Sequence, residues 1–205
     1  MELKKGDVIL FNGDSITDCG RDKNDFHSVS GYNKIVAAAL AAFCPEKQIE
    51  VFNRGVNGDR TRELLARIKN EVAEVKPTVI SLLIGVNNVW RGFGENSETP
   101  AAAFQKEYRA VLDICKKAAD RIVIIEPFII PSTPDAVGVR PQLDIASTVI
   151  RALAAEYKTE FIPADGIFAE LAVKNGAALY SPDGVHLTDA GNVVLAREWL
   201  KRVDG

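Results

Sequence analysis

Five short runs of apolar, largely β-branched residues recur along the chain, with longer stretches of helical spacing between them. The runs are 7–12 (Asp-Val-Ile-Leu-Phe-Asn), 49–53 (Ile-Glu-Val-Phe-Asn), 78–84, 121–126 (Arg-Ile-Val-Ile-Ile-Glu) and 160–163 (Glu-Phe-Ile-Pro). Near-continuous apolar strands point to burial on both faces, as in a parallel sheet covered by helices. Leu64, Ile68, Val72 and Val75 form one stripe of 3.6 period, with Arg62, Glu63, Lys69 and Glu71 elsewhere on the same helix. Phe104, Tyr108, Val111 and Cys115 form a second stripe; Val193, Ala196, Leu200 and Val203 form a third, with Trp199 assigned to the core. Pro45 and Pro77 stand where helices should stop. Strand and helix alternate throughout, which implies right-handed crossovers and a three-layer α/β/α sandwich. No repeat, low-complexity tract or linker interrupts the pattern, so residues 1–205 are expected to form one domain. The longest irregular segments, 91–99 and 130–140, are candidate walls of a binding site.

Composition agrees with this picture and narrows the function classes. At 205 residues, 47% hydrophobic and 26% charged, the chain can build a full core without metal or disulfide staples. A net charge of −3 gives no footprint for nucleic acid or for an anionic membrane surface. Cys19, Cys44 and Cys115 form no C-x-x-C pair, which fits a reducing compartment. The segment from Met1 to Gly6 leads into an apolar run too short for a signal sequence, and no run is long enough to span a bilayer. The expectation is a soluble, cytoplasmic protein.

In open parallel sheets, ligands bind beyond the carboxyl ends of the strands. The residues that follow the five strands there are Gly13-Asp14-Ser15, Arg54-Gly55-Val56-Asn57-Gly58, Gly85-Val86-Asn87-Asn88, Pro127-Phe128 and, after a further helix, Ser181-Pro182-Asp183-Gly184-Val185-His186. Nearly every chemically capable group in the chain falls on that edge. Acyl transfer needs a hydroxyl nucleophile, a base, an orienting acid and donors for an oxyanion. Only His27 and His186 could act as an imidazole base, and only His186 has an acid in a turn beside it, Asp183. Ser15 follows a strand through Gly13, which permits a sharp turn. Each residue alone has an ordinary explanation: Ser15 as a helix cap, Gly55 and Asn87 as turn residues, Asp183 and His186 as helix-entry residues. The G-x-S-x-G elbow, the phosphate-binding glycine motifs and zinc-ligand spacings are all missing from the sequence.

Four blocks together change that balance. Gly13-Asp14-Ser15-Ile16, Asn53-Arg54-Gly55, Gly85-Val86-Asn87-Asn88 and Asp183-Gly184-Val185-His186 resemble, in order, the blocks of the SGNH (GDSL-type) hydrolases. The wider phrasing, including Thr17-Asp18-Cys19-Gly20-Arg21, Val89-Trp90-Arg91 and Glu126-Pro127-Phe128, is similar to intracellular acetylxylan esterases and related carbohydrate acetylesterases. The resemblance implies a flavodoxin-like sheet of order 2-1-3-4-5. It further implies Ser15 as nucleophile, His186 as base and Asp183 as orienting acid, with an oxyanion hole from Ser15, Gly55 and Asn87. No metal or organic cofactor is implied. The implied substrate is a small acylated molecule, an acetylated oligosaccharide, and the implied assembly is a homo-oligomer. Asp14, Phe128, Trp90 and Arg91 are candidate substrate contacts; Trp90 reads equally as a packing residue and Arg91 as a surface ion-pair partner. Ile16 stands for the family's leucine, and Asn88 for a frequent aspartate. Arg60, Arg62 and Arg67 read as a solvated helix face, and His27 as solvated or at the site rim. Two other functions remain open: a lysophospholipase or thioesterase of the same fold, disfavoured by the polar segment 92–98, and a non-catalytic glycan-binding protein.

Overall fold

The computed structural model describes residues 1–91 and 100–203. Five parallel strands, β1 (Val8–Gly13), β2 (Glu50–Asn53), β3 (Val79–Leu83), β4 (Arg121–Ile125) and β5 (Glu160–Ile162), form a sheet of order β2-β1-β3-β4-β5. The central strands β1 and β3 are buried nearly throughout, which is why they lack polar alternation. Each strand begins or ends within two residues of its apolar run. At β1 the Asp7 N–H turns back to Lys4 O at 3.2 Å while the Asp7 carbonyl already accepts the Glu50 N–H of β2, so the paired register starts at Val8.

The larger helices are α2 (Gly31–Phe43), α3 (Thr61–Val75), α5 (Pro100–Ala118), α7 (Arg140–Tyr157), α8 (Ala164–Asn175) and α9 (Asp189–Val203). Short helices α1 (Ser15–Asp18), α4 (Val86–Trp90) and α6 (Pro134–Gly138) lie in the loops at the carboxyl edge of the sheet and carry no hydrophobic period of their own. Phe11 of β1 meets Tyr32 of α2 edge-on, with centroids 5.5 Å apart, and Trp199 of α9 at 5.1 Å. Its neighbour Leu10 points to the opposite face, as alternation along a strand requires. The α5 stripe is buried as expected. The α9 stripe differs. Val193 is 53% exposed, and Leu195, Ala196, Trp199 and Val203 face the core instead. A reading that starts from the β-branched Val193 picks a line on the helix that only partly overlaps the buried face. Trp199 is wholly buried, and its indole N–H donates to Ser81 Oγ at 3.0 Å. Among the described residues no helix is long and apolar enough to cross a membrane.

The strand order fixes where chemistry can occur. From β1 the chain crosses first to β2 and then, beyond β1, to β3, so the sheet reverses direction between β1 and β3. Gly13 at the end of β1 pairs with Leu83 at the end of β3, which brings the loops that follow them side by side.

Candidate active site

Ser15 opens α1 directly after that reversal point. Asp14 Oδ1 accepts the Ile16 N–H at 3.0 Å and caps this single turn, so the serine lies half-buried at its start while Ile16, Thr17 and Asp18 are buried. His186 arrives from the segment before α9, with Nε2 3.0 Å from Ser15 Oγ. Its Nδ1 lies 2.6 Å from Asp183 Oδ2. With Nδ1–H donating to the carboxylate, Nε2 is left to accept the serine proton.

The turn that carries both partners is built from its own polar groups. Asp183 Oδ1 accepts the N–H groups of Val185 (2.9 Å) and His186 (2.8 Å), and Ser181 Oγ accepts the Gly184 N–H at 2.8 Å. Gly184 holds φ +93°, and a Cβ there would come within 2.7 Å of Ile130 O and 2.6 Å of Ala136 Cβ, so a side chain is excluded twice over. Its carbonyl accepts the Ile130 N–H, which ties the turn to the segment after β4. Partial burial would raise the Asp183 carboxyl, but the bonds from the His186 ring and the two backbone N–H groups outweigh it and bring the carboxyl down to about 2. It is therefore an anion wherever an imidazole works as a base.

A cavity of about 630 Å³ opens over Ser15 and His186, with Asn57, Gly58, Asn87 and Trp90 among its lining. Asn87 directs one amide hydrogen to Asp59 O at 3.1 Å, leaving the other for a ligand. Trp90 is 41% exposed and forms one wall. Arg91 lies at the rim, its Nη2 3.2 Å from where a Cβ on Gly58 would sit. Cys19, which carried no assignment from sequence, also lines the cavity.

Several expectations need correction. Gly55 cannot supply the oxyanion donor in this geometry, because its N–H already donates to Asn53 Oδ1 at 2.9 Å and the residue is buried. It is glycine for packing: a Cβ would fall 2.2 Å from the backbone nitrogen of Asp18. Three residues on, Gly58 lines the cavity, and its N–H has no partner among the described residues. Asn53, two residues before Gly55, closes an Asx turn that consumes the Gly55 N–H. Phe128 is wholly buried, its ring 4.7 Å from that of Phe168, and does not reach substrate. Asp14 is equally buried; it shapes the nucleophile's turn rather than the cavity. Asn88 turns inward, accepting the Thr61 N–H and donating to Thr61 Oγ1, so an amide ties α4 to the start of α3. His27 is exposed and packs its ring 4.9 Å from that of Phe52. Arg62 is exposed as expected, whereas Arg67 is largely enclosed and bonded on every side. The polar segment 92–98 lies outside the described residues.

A flavodoxin-like parallel sheet that brings a serine, an imidazole, a carboxylate and converging N–H donors to its reversal point defines the class of α/β/α carboxylic ester hydrolases. Residues 11–194 match the GDSL-like lipase/acylhydrolase family, and the chain belongs to it. It is 32% identical over 212 residues to an acetylxylan esterase of Geobacillus stearothermophilus, covering 99% of this chain and 96% of that one. An acetyl-xylooligosaccharide esterase from the same organism superposes with a TM-score of 0.89 at 31% identity, covering 98% of this chain and 96% of the other. Crystal structures described as catalytic mutants of that esterase replace a serine, an aspartate and a histidine by alanine, the last two three positions apart. An α/β hydrolase from the metagenome of Lake Arreo, Spain, superposes with a TM-score of 0.88 at 26% identity, covering 97% and 95% of the two chains.

Proposed function

We propose that this chain is a serine esterase that removes acetyl groups from carbohydrate hydroxyls. The observation that carries the reading is the unbroken series Ser15 Oγ, His186 Nε2, His186 Nδ1, Asp183 Oδ2, with links of 3.0 and 2.6 Å. Ser15 Oγ attacks the ester carbonyl carbon as His186 Nε2 takes its proton. The developing oxyanion is held by the N–H groups of Ser15 and Gly58 and by the amide of Asn87. On collapse the sugar oxygen leaves with the proton from His186. Water, activated by the same nitrogen, then hydrolyses the acyl-serine and returns the enzyme to its starting state. Asp183 remains an anion throughout and steadies the imidazolium.

Two features support the sugar. Trp90 offers a rigid, part-exposed aromatic face beside the nucleophile. Relatives matched along nearly the whole chain are named acetylxylan and acetyl-xylooligosaccharide esterases. A cytoplasmic, self-assembling enzyme remains part of the proposal; its thiols Cys19, Cys44 and Cys115 are free, as a reducing compartment favours. The test is mass-resolved loss of acetate from acetylated xylo-oligosaccharides, run beside fluorophosphonate labelling. Label on Ser15 that is lost in His186→Ala, together with acetate release, is the expected result. Labelling with turnover of octanoyl but not acetyl esters would reassign the substrate to longer acyl chains. Failure of Ser15 to label would remove the serine mechanism.

A further inference from the structure

Arg67 is the most heavily bonded cation of the described residues, and nothing in the chemical steps above uses it. It projects from α3 with its side chain 20% exposed. Its Nε donates to Asp59 Oδ2 at 2.7 Å, and its Nη2 to Gly13 O at 3.0 Å. Nη1 is shared among Asn12 Oδ1 (2.8 Å), Arg54 O (2.8 Å) and the Glu71 carboxylate (2.7 and 2.8 Å). The charge is balanced by two carboxylates, and all three guanidinium nitrogens donate to acceptors.

Two of the acceptors, Gly13 O and Asp59, lie one or two steps from an oxyanion donor, and a third, Arg54 O, opens the same loop. Gly13 O belongs to the residue two before Ser15, at the end of β1. Asp59 directly follows Gly58, and the carbonyl of the same Asp59 receives the Asn87 side-chain N–H. Arg54 O marks the end of β2, where the loop to Gly58 departs. The donors thus come from three loops that are separate in sequence, and a single guanidinium bonds to two of these loops and, through Asp59, to the third. We propose that Arg67 is a positioning residue for the oxyanion hole, holding the Ser15 and Gly58 N–H groups and, through Asp59, the Asn87 amide in mutual register.

The physical reason is preorganisation. Donors aimed at a developing charge help only if they need not move when it forms, and misplacement by about 1 Å costs on the order of 10²-fold in rate. Lysine cannot replace the residue, because an ammonium on a flexible stem cannot span Gly13 O and Asp59 together. Asp59 and Glu71 receive the same guanidinium but differ in consequence. Asp59 belongs to the donor loop, whereas Glu71 lies one turn along α3 and touches only Arg67 and Asn12 among the described residues.

The inference rests on the esterase reading, and the experiment separates the two. Arg67→Lys, Arg67→Met, Asp59→Asn and Glu71→Gln are assayed on an acetyl aryl ester, with thermal melting and inhibition by a trifluoromethyl ketone, whose adduct carries the oxyanion. Expected for the Arg67 variants and Asp59→Asn is a fall in kcat of about 10- to 100-fold with KM within about twofold, and a matching loss of ketone affinity. Glu71→Gln is expected to lower the melting temperature while keeping kcat. Retention of kcat and ketone affinity in folded Arg67→Lys overturns the inference, as does a loss that follows melting temperature equally across all four variants. A wild-type protein with no ester turnover overturns the esterase reading instead. Should the Arg67 variants not fold, Asp59→Asn decides by the same two readouts.

Discussion

Asn87 lines the cavity over Ser15 and Asp14 caps the turn that carries it, and each makes a separate expectation. The Asn87 amide is held by one hydrogen bond to Asp59 O and keeps its other hydrogen for the cavity, so Asn87→Ala removes a donor without opening the core. Its kcat is expected to fall by about 10²–10³-fold with the melting curve little changed. Asp14 is the reverse case, a group whose effect is on stability. Burial pushes its carboxyl up to about 7, against the opposing pull of the Ile16 N–H and of His186, while Asp59 adds to the rise. The folded chain therefore holds this proton over a range where the unfolded chain, with an ordinary value of 3.8, has lost it. The stability it contributes is full below about pH 4 and is lost as the pH rises through about 7. Asparagine at position 14 can still accept the Ile16 N–H. Calorimetry of Asp14→Asn and wild type should accordingly show similar melting at pH 4 and a gain of several degrees for the variant at pH 8. A gap that does not widen with pH would refute the assignment of that buried charge.

Elements were readable in proportion to their length and period. The five strands and the long helices stand out because burial on both faces of a sheet, or along one stripe of a helix, leaves a repeated imprint on residue choice. The helices α1, α4 and α6 are too short to carry a period, and they exist because crossover loops must turn tightly at the sheet edge. The α9 face was misread for a related cause: it is defined by Trp199, whose neighbours Leu195 and Val203 flank it one turn away on either side, and not by the β-branched Val193. Trp199→Ala is expected to cost about 3–5 kcal/mol by denaturant unfolding, whereas Val193→Ala should stay within about 0.5 kcal/mol. Arg67 reads as solvated in the sequence because a cation beside Leu64 and Ile68 looks like a helix's wet side. Its partner Glu71, four residues on, was the visible clue, since an i, i+4 pair bordering an apolar stripe can be drawn under the fold.

Across the molecule, the reversal between β1 and β3 lets side chains with little sequence relation work as one device. The serine, the imidazole and its carboxylate are legible because each falls on the carboxyl edge of the sheet, but the glycine whose N–H stays unspent beside the cavity is not. Gly55 and Gly58 occupy the same loop, and only the folded backbone shows which N–H is spent and which is free. The hydrogen bond between Ser15 and His186 spans 171 positions. A growing polypeptide consequently carries an inert serine through almost its whole synthesis, and becomes reactive only when the last crossover closes against the first strand. Turnover in such an architecture is a report on completed folding: a half-made or locally frayed copy is silent, not indiscriminate.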